Sequence, residues 1–177
     1  MGHVVTRLLW AVTPSLVVGA CMLRPIQESD IERLLQLWLY LACSSHPSLP
    51  VSYWTDAGRA MRRRLQAQCR FGAPGDLASS SHWVYTRPGS QIPEGLVTIA
   101  ENRQVETIFV SPGEQGHGVG SELMAQAKFG RIQLETQVLE ENLRGRYFLQ
   151  QHGFSEAERI FNSAANQDEI FMHCRVA

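Results

Sequence analysis

Apolar positions in this chain follow two different periods, one typical of helices and one of strands. The helical period is clearest in residues 28–43, where five apolar residues share one face: Ile31, Leu34, Leu35, Trp38 and Leu41. Short apolar runs bounded by turn-forming residues, such as the sequence VETIFV at 105–110, have the length of strands. The pattern therefore predicts alternating helices and strands, and Ser29 is the expected N-cap of the first helix.

The same reading divides the rest of the chain into strands and helices. The predicted strands are 22–26, 82–87, 94–101, 105–110, 131–139, 153–161 and 167–176. The predicted helices are 28–43, 53–69, 121–129 and 141–152. The order β-α-α-β-β-β-α-β-α-β-β predicts an α/β (α+β) fold, with one mixed sheet that carries helices on both faces.

The first 21 residues have a composition of their own. One positive charge, Arg7, precedes an apolar stretch that ends in small residues before Cys21, which is the pattern of a secretory or lipoprotein signal. Pro14 interrupts the stretch, which is also short for a transmembrane helix. Because a strand and helix pattern follows at once, we expect the functional domain at 22–177 and an extension or upstream-start segment at 1–21.

Composition narrows the class of protein. A chain of 177 residues fits one domain with a real core. The formal net charge of −1 gives no general attraction to nucleic acid or to an anionic membrane. Four widely spaced cysteines, with no CxxC motif and no pairing with histidine at zinc spacing, are typical of reduced thiols in a cytosolic protein. The six histidines are too scattered to predict a metal site.

Four glycines crowd into the stretch VSPGEQGHGVGSELM at 110–124. Glycine is kept where the backbone needs a positive φ or approaches another group closely. Here the cluster lies between a predicted strand and a predicted helix. Free backbone N–H groups and the helix dipole favour an anion at such a junction, so we expect a phosphate-binding loop.

Three phosphate-binding patterns compete for this loop. A Walker loop needs a lysine after its last glycine, and none follows here. A Rossmann fingerprint has glycine at its sixth position near the first strand, whereas the string from Gly116 ends in Ser121, two-thirds along the chain. The pattern Q/R-x-x-G-x-G/A fits residues 115–120. A structural turn without ligand is the remaining alternative.

With IFVSP before it and a helix after it, the loop resembles the signature loop of the GCN5-related N-acetyltransferase (GNAT) superfamily. The resemblance extends over 22–175 and includes the late motif LEENLRGRYFLQQHGF and the sequence HPSLPVSYW, as in small single-domain bacterial members. It implies a mostly antiparallel sheet and transfer of an acetyl group from acetyl-CoA to a primary amine. It also implies a cytoplasmic monomer or homodimer without metal, nucleic acid or membrane partners, acting on a small molecule, a protein lysine or an N-terminus.

The resemblance also implies roles for particular residues. Acetyl-CoA would be held by Phe109, Val110, Gln115, Gly116, His117, Gly118, Val119, Gly120, Ser121, Asn142 and Phe148. The acceptor site would be bordered by His46, Tyr53 and Trp54. The carboxylate of Glu106 is the candidate general base. The backbone N–H of Val110 would donate to the thioester oxygen as charge develops there.

One position departs from the family pattern. Leu149 stands where the family usually has a tyrosine that protonates the CoA thiolate. Tyr147 lies about 200° away around the helix and is expected to pack instead. His152 or water could supply the proton, and a non-catalytic acyl-CoA-binding or sensor protein is the alternative function. The cations at Arg59, Arg62 and Arg63 are expected on a solvated helix face.

Overall fold

The computed structural model describes residues 22–71 and 80–176. Its strands are β1 Met22–Pro25, β2 Ser80–Thr86, β3 Pro93–Ala100, β4 Gln104–Val110, β5 Gln133–Leu139, β6 Ser155–Asn162 and β7 Gln167–Arg175. Its helices are α1 Ile31–Ser45, α2 Val51–Phe71, α3 Val119–Lys128 and α4 Leu143–Gln151, with 3-10 turns at Glu28–Asp30 and Pro112–Glu114. The expected extension at 1–21 lies outside the described residues.

The strands form one sheet in the order β1-β2-β3-β4-β5-β7-β6. Neighbouring strands are antiparallel except for β4 and β5, which run parallel. This arrangement confirms the predicted mixed, mostly antiparallel sheet. Within residues 80–176, β4 and β5 are in register at Gln104 and Glu135 alone, near the start of both strands. The two strands therefore diverge toward their carboxyl ends and leave a cleft in the sheet.

Helices cover both faces of the sheet, as the sequence predicts. On one face α1 and α2 pack on β2 and β3 through Leu34, Leu65, Val84 and Leu96, all of which are fully buried. On the other face α3 and α4 pack on the sheet through a second cluster that includes Leu123 and Leu149. Burial of each large aliphatic side chain contributes roughly 1.5–3 kcal/mol to stability. The helices therefore hold the strands on both sides of the cleft in place.

The first helix begins later than expected, and Ser29 is not its N-cap. A 3-10 turn spans Glu28–Asp30, and Asp30 immediately precedes α1. The buried Asp30 carboxylate accepts hydrogen bonds from the Arg24 guanidinium at 2.6 and 2.8 Å and from the Gln27 backbone N–H at 2.8 Å. The prediction missed Asp30 because its role depends on an arginine in the preceding strand.

The longest described helix, α2, carries many charged residues along its 21 positions. Within residues 22–71 and 80–176, no helix combines the length and the apolar character needed to cross a membrane.

Candidate active site

The glycine loop joins β4 to α3 in a left-handed backbone conformation. Gly116 has φ 80° and Gly118, the N-cap of α3, has φ 86°. A Cβ built on either glycine would meet no atom within 4 Å. Glycine is therefore needed here for the backbone angle, and the space outside the loop is open to a ligand.

Gly120 serves a different purpose, which the sequence reading did not separate from the others. A Cβ at this position would lie 3.0 Å from Cε2 of Phe148. The absence of a side chain lets α3 and α4 approach closely. Phe148 in turn packs against the His152 ring, at a centroid distance of 4.5 Å.

The N-terminus of α3 presents free backbone donors. Its first intrahelical bond runs from the Glu122 N–H to the Gly118 carbonyl at 3.1 Å. The N–H groups of residues 119–121 therefore have no partner within the helix, and Gly118 has no side chain to cap them. Donors at a helix N-terminus, facing open space, fit the diphosphate of a coenzyme A. His117 is exposed at the same loop.

Side chains hold this loop in place before any ligand binds. Glu114 accepts hydrogen bonds from the Tyr85 hydroxyl at 3.0 Å and from Nε of Arg87 at 2.6 Å. Gln115 donates from Nε2 to the Val110 carbonyl at 2.9 Å. A preorganised loop loses less conformational freedom when it binds a phosphate.

Val110 has its backbone groups directed into the cleft. The backbone N–H of the next residue, Ser111, donates to the backbone carbonyl of Glu94 on β3 at 2.7 Å. Because backbone groups of successive strand residues point to opposite edges, the N–H and C=O of Val110 face the side from which β5 has diverged. A donor in this position can reach a ligand lying in the cleft, and Phe109 precedes it on the same strand.

Ser121, in the first turn of α3, lies next to His152. The Ser121 hydroxyl lies 3.3 Å from Nε2 of His152. Burial lowers the pKa of His152, and the nearby charge of Lys128 lowers it further. The imidazole is therefore mainly neutral at pH 7 and adds a hydrogen-bonding group, not a full charge, to this end of α3.

Glu106 occupies a β-bulge in β4. Val105 pairs with Ile99 and Thr107 pairs with Thr98, so Glu106 is the extra residue between them. Its carboxylate accepts a 3.2 Å hydrogen bond from Arg64 of α2, and 26% of its side chain is exposed. A bulge re-aims the side chain it carries, and here it turns the carboxylate toward α2.

The expected acceptor residues come together where α1 meets α2. His46 is buried; its Nδ1–H donates to the Ala42 carbonyl at 2.8 Å and its ring lies 4.7 Å from the Trp54 ring. Tyr53 packs edge-on against Trp54 at 5.0 Å. Burial raises the pKa of Tyr53, and the charge of Glu169 on β7 raises it further. The rings of His46, Tyr53 and Trp54 therefore form one cluster, and Tyr53 brings it close to β7.

Helix α4 bears on three expectations, for Asn142, Leu149 and Tyr147. Asn142 is its N-cap and accepts the Gly145 N–H at 2.9 Å. Leu149 is 4% exposed and lies in the core, so this position offers no proton donor. Tyr147, which was expected to pack, is instead 63% exposed, because it lies on the solvent side of the helix that buries Leu149.

Three contacts of the candidate site could not be predicted from the sequence because they join distant parts of the chain. They are the ion pair of Arg64 with Glu106, the anchoring of the loop by Glu114, and a network in which Glu141 binds Ser48 and Gln167. The cations on α2 behave as expected of a solvated face: Arg59 pairs with Asp56, and Arg62 pairs with Glu32.

Comparison with known proteins points in one direction. The family model described as an acetyltransferase (GNAT) domain matches residues 78–156. The peptidyl-lysine N-acetyltransferase YiaC of Escherichia coli is 29% identical over 133 residues, which are 75% of this chain and 82% of the relative. Similar solved structures are apo YjaB from Escherichia coli (TM-score 0.70, 21% identity, covering 89% of this chain and 99% of that one) and a spermidine N-acetyltransferase from Vibrio cholerae in complex with CoA and spermine (TM-score 0.62, 18% identity, covering 89% and 96%).

Proposed function

We propose that this chain, which matches an acetyltransferase (GNAT) domain model at residues 78–156, transfers an acetyl group from acetyl-CoA to a primary amine by direct attack in a ternary complex. One observation carries this proposal. The glycine loop and the uncapped start of α3 lie beside the only parallel strand pair of the described sheet, where β4 leaves β5 and exposes Val110. The proposed anion site and the proposed oxyanion donor would thus share one cleft.

The loop side of the cleft would hold the donor. The backbone N–H groups of residues 116–121 bind the diphosphate, with His117, Val119 and Ser121 contributing mainly through the main chain. Phe109, Gln115, Asn142 and Phe148 would line the path of the bound donor toward Val110. When bound, acetyl-CoA supplies the acetyl group as a thioester, which is already activated toward amines.

The residues around the bulge would carry the proton transfer. Glu106 accepts a proton from the acceptor ammonium, directly or through one water, which frees the nitrogen lone pair. The Val110 N–H donates to the carbonyl oxygen as negative charge develops there. The new C–N bond forms as the C–S bond breaks, and the sulfur leaves with the electron pair of that bond.

Water would supply the proton for the departing sulfur. The position that could carry an acid on α4 is Leu149, which is buried and has no proton to donate. A thiolate leaves readily at neutral pH, since the reference pKa of a thiol is about 8.5. Turnover without a protein acid is therefore chemically reasonable.

The acceptor would be a lysine side chain or a polyamine. The relative YiaC is named a peptidyl-lysine N-acetyltransferase, and the Vibrio cholerae neighbour is described with spermine; both compounds present a primary amine on an aliphatic chain. His46, Tyr53 and Trp54 would form the aromatic wall against which such a chain lies.

A thiol-release assay with purified protein and acetyl-CoA tests the proposal. The panel would contain lysine peptides, free amino acids and polyamines. Amine-dependent release of free CoA supports the proposal, and acetyl-CoA binding without release from any amine contradicts it.

The buried Leu149 favours one alternative, a non-catalytic acyl-CoA-binding or sensor protein. That function requires the glycine loop but no base. It would give tight acetyl-CoA binding, no thiol release, and no effect of Glu106→Gln.

A further inference from the structure

One hydrogen-bond network ties the loop between α1 and α2 to the β5 and β7 side of the sheet, beside the proposed acceptor site. The Ser48 hydroxyl donates to Oε1 of Glu141 at 2.7 Å, and the Ser48 N–H donates to Oε2 at 3.3 Å. Nε2 of Gln167 donates to the same Oε1 at 2.9 Å. Gln167 also accepts the Glu141 backbone N–H at 3.0 Å and reaches the Ser48 hydroxyl at 3.5 Å. We refer to these contacts as the Ser48–Glu141–Gln167 network.

The network connects segments that are far apart in sequence. Ser48 lies in the loop 46–50 between α1 and α2, Glu141 lies between β5 and α4, and Gln167 begins β7. The pairing of β4 with β5 lies near the start of both strands, whereas Glu141 follows the carboxyl end of β5. Backbone hydrogen bonds of the sheet therefore do not join the two sides of the cleft here. Side chains supply the connection that the backbone ladder lacks.

The loop that the network holds carries the predicted acceptor residues. His46 starts the loop, and its ring packs on Trp54 in the first turns of α2. Tyr53 lies beside Trp54 and faces the charge of Glu169. A shift of the loop would therefore move the aromatic wall, whereas the glycine loop is anchored separately through Glu114 to Arg87 and Tyr85.

Glu141 is ionised within this network. Burial acts to raise its pKa, but the hydrogen bonds from Ser48 and Gln167 outweigh burial, and the pKa is lowered. His46 contributes a weaker effect in the same direction. A carboxylate that accepts from three neutral donors holds them more firmly than an uncharged acceptor would.

We propose that Glu141 is a positioning residue that fixes the loop 46–50 across the cleft and thereby sets the affinity for the amine acceptor, without itself touching the donor. The inference rests on the proposed acetyltransferase function. It assigns a role to the Ser48–Glu141–Gln167 network that neither the motif pattern nor the resemblance contains.

Steady-state kinetics with spermine and with a lysine peptide test whether Glu141 sets the affinity for the amine acceptor. Glu141→Ala should raise KM for the amine about tenfold or more while kcat changes little, because the wall moves but the reacting groups stay. Calorimetry should show an unchanged Kd for acetyl-CoA. Gln167→Ala should reproduce the effect, and the double variant should be no worse than Glu141→Ala, since both changes break one network.

Two further variants separate positioning from a general loss of stability. Glu141→Gln keeps one oxygen acceptor of the same shape and should recover part of the amine affinity. Glu140→Gln alters the preceding carboxylate, which pairs with Arg159 and not with the loop, and should behave as wild type. Equal losses in amine KM, kcat and acetyl-CoA affinity for Glu141→Ala, or an unchanged amine KM, would overturn the proposal.

Hydrogen exchange tests the network independently of any reaction. Amides in a peptide covering 46–50 should exchange about tenfold faster in Glu141→Ala than in wild type or Glu140→Gln, because the Ser48 N–H loses its acceptor. Unchanged exchange would reject the network. If exchange responds but wild type acetylates neither probe, the acetyltransferase function fails while the structural role of Glu141 stands.

Discussion

The guanidinium of Arg64 donates a 3.2 Å hydrogen bond to the carboxylate of Glu106, and so links α2 to the bulge of β4. The pair lies on the face of the sheet that α2 covers, beside the cleft that opens beyond Gln104 and Glu135. An arginine in this position orients the carboxylate. It also competes with an incoming ammonium for Oε1, so an acceptor must share or displace this contact.

Removing the Glu106 carboxylate should slow the chemical step and spare donor binding. General-base catalysis contributes about 10²–10⁴-fold, so we expect Glu106→Gln to lower kcat by at least about a hundredfold. The Kd for acetyl-CoA in calorimetry should stay the same. The loss should be greatest below the pKa of the amine, where most of the acceptor needs deprotonation.

A matched control is Glu158→Gln, which changes an exposed carboxylate on β6. This variant should turn over at the wild-type rate. A Glu106→Gln enzyme as fast as Glu158→Gln would remove Glu106 from the role of base.

Gly118 allows charge to be tested apart from backbone strain. Asn and Asp have nearly the same shape and both tolerate a positive φ better than most residues, so each replacement carries a similar strain at φ 86°. Asp adds a negative charge where the diphosphate is expected. We predict that Gly118→Asp binds acetyl-CoA at least about tenfold more weakly than Gly118→Asn, a difference of about 1.4 kcal/mol.

Calorimetric titration of both variants in low salt gives this ratio directly, and added salt should reduce it. Equal affinities for the two variants would mean that no phosphate lies near residue 118.

A substitution at Gly120 should lower the stability of the fold through the size of the added side chain. Its Cβ would lie 3.0 Å from the Phe148 ring, so Gly120→Ala should destabilise the fold by about 1–3 kcal/mol through overpacking. Phe148→Leu removes the ring and should recover much of this loss in the double variant. Chemical denaturation of the four proteins of the cycle gives the coupling energy. Additive effects would show that the two helices do not meet as described.

His82 makes the stability of the protein depend on pH. It is 6% exposed, and burial lowers its pKa from 6.5 to about 4. The unfolded chain therefore binds a proton between these values that the folded chain does not, and stability falls as pH drops from about 6.5 to 4. A difference of about 2.5 units, at 1.36 kcal/mol each, sets an upper limit of about 3 kcal/mol.

Denaturant unfolding of wild type and His82→Gln at pH 7 and pH 4.5 measures this contribution, because glutamine does not titrate. The difference in unfolding free energy between the two proteins should shrink or change sign at the lower pH. A difference that is independent of pH would exclude a buried neutral histidine.

Local features of the sequence were sufficient for the elements and for the glycine loop. Periodicity and glycine spacing, which are properties of neighbouring residues, predict the strand that ends at Val110, the loop 115–118 and the helix after the loop. The resemblance added the GNAT superfamily, and the matching domain model at residues 78–156 and the similarity to YiaC agree with it. The burial of Leu149 agrees with its apolar character.

Contacts between distant residues could not be obtained in this way. The partner of Glu141 is Ser48, 93 positions away, and the partner of Glu106 is Arg64 on another element. The Asp30 site displaced the predicted cap at Ser29 for the same reason, since Arg24 had to be brought near by the fold. Periodicity predicts on which face of a helix or strand a side chain lies, but it does not predict which residue of another element that side chain will contact.

The proposed function depends on binding of the acetyl-CoA diphosphate by the backbone N–H groups between Gly116 and Ser121. Titration of ¹⁵N-labelled protein with acetyl-CoA, followed by amide chemical shifts, measures those groups themselves. If the diphosphate binds there, the amides of Gly116, Gly118 and Gly120 should show large, saturable shifts. Saturable binding that leaves these three resonances in place, or no binding at all, would contradict the proposal.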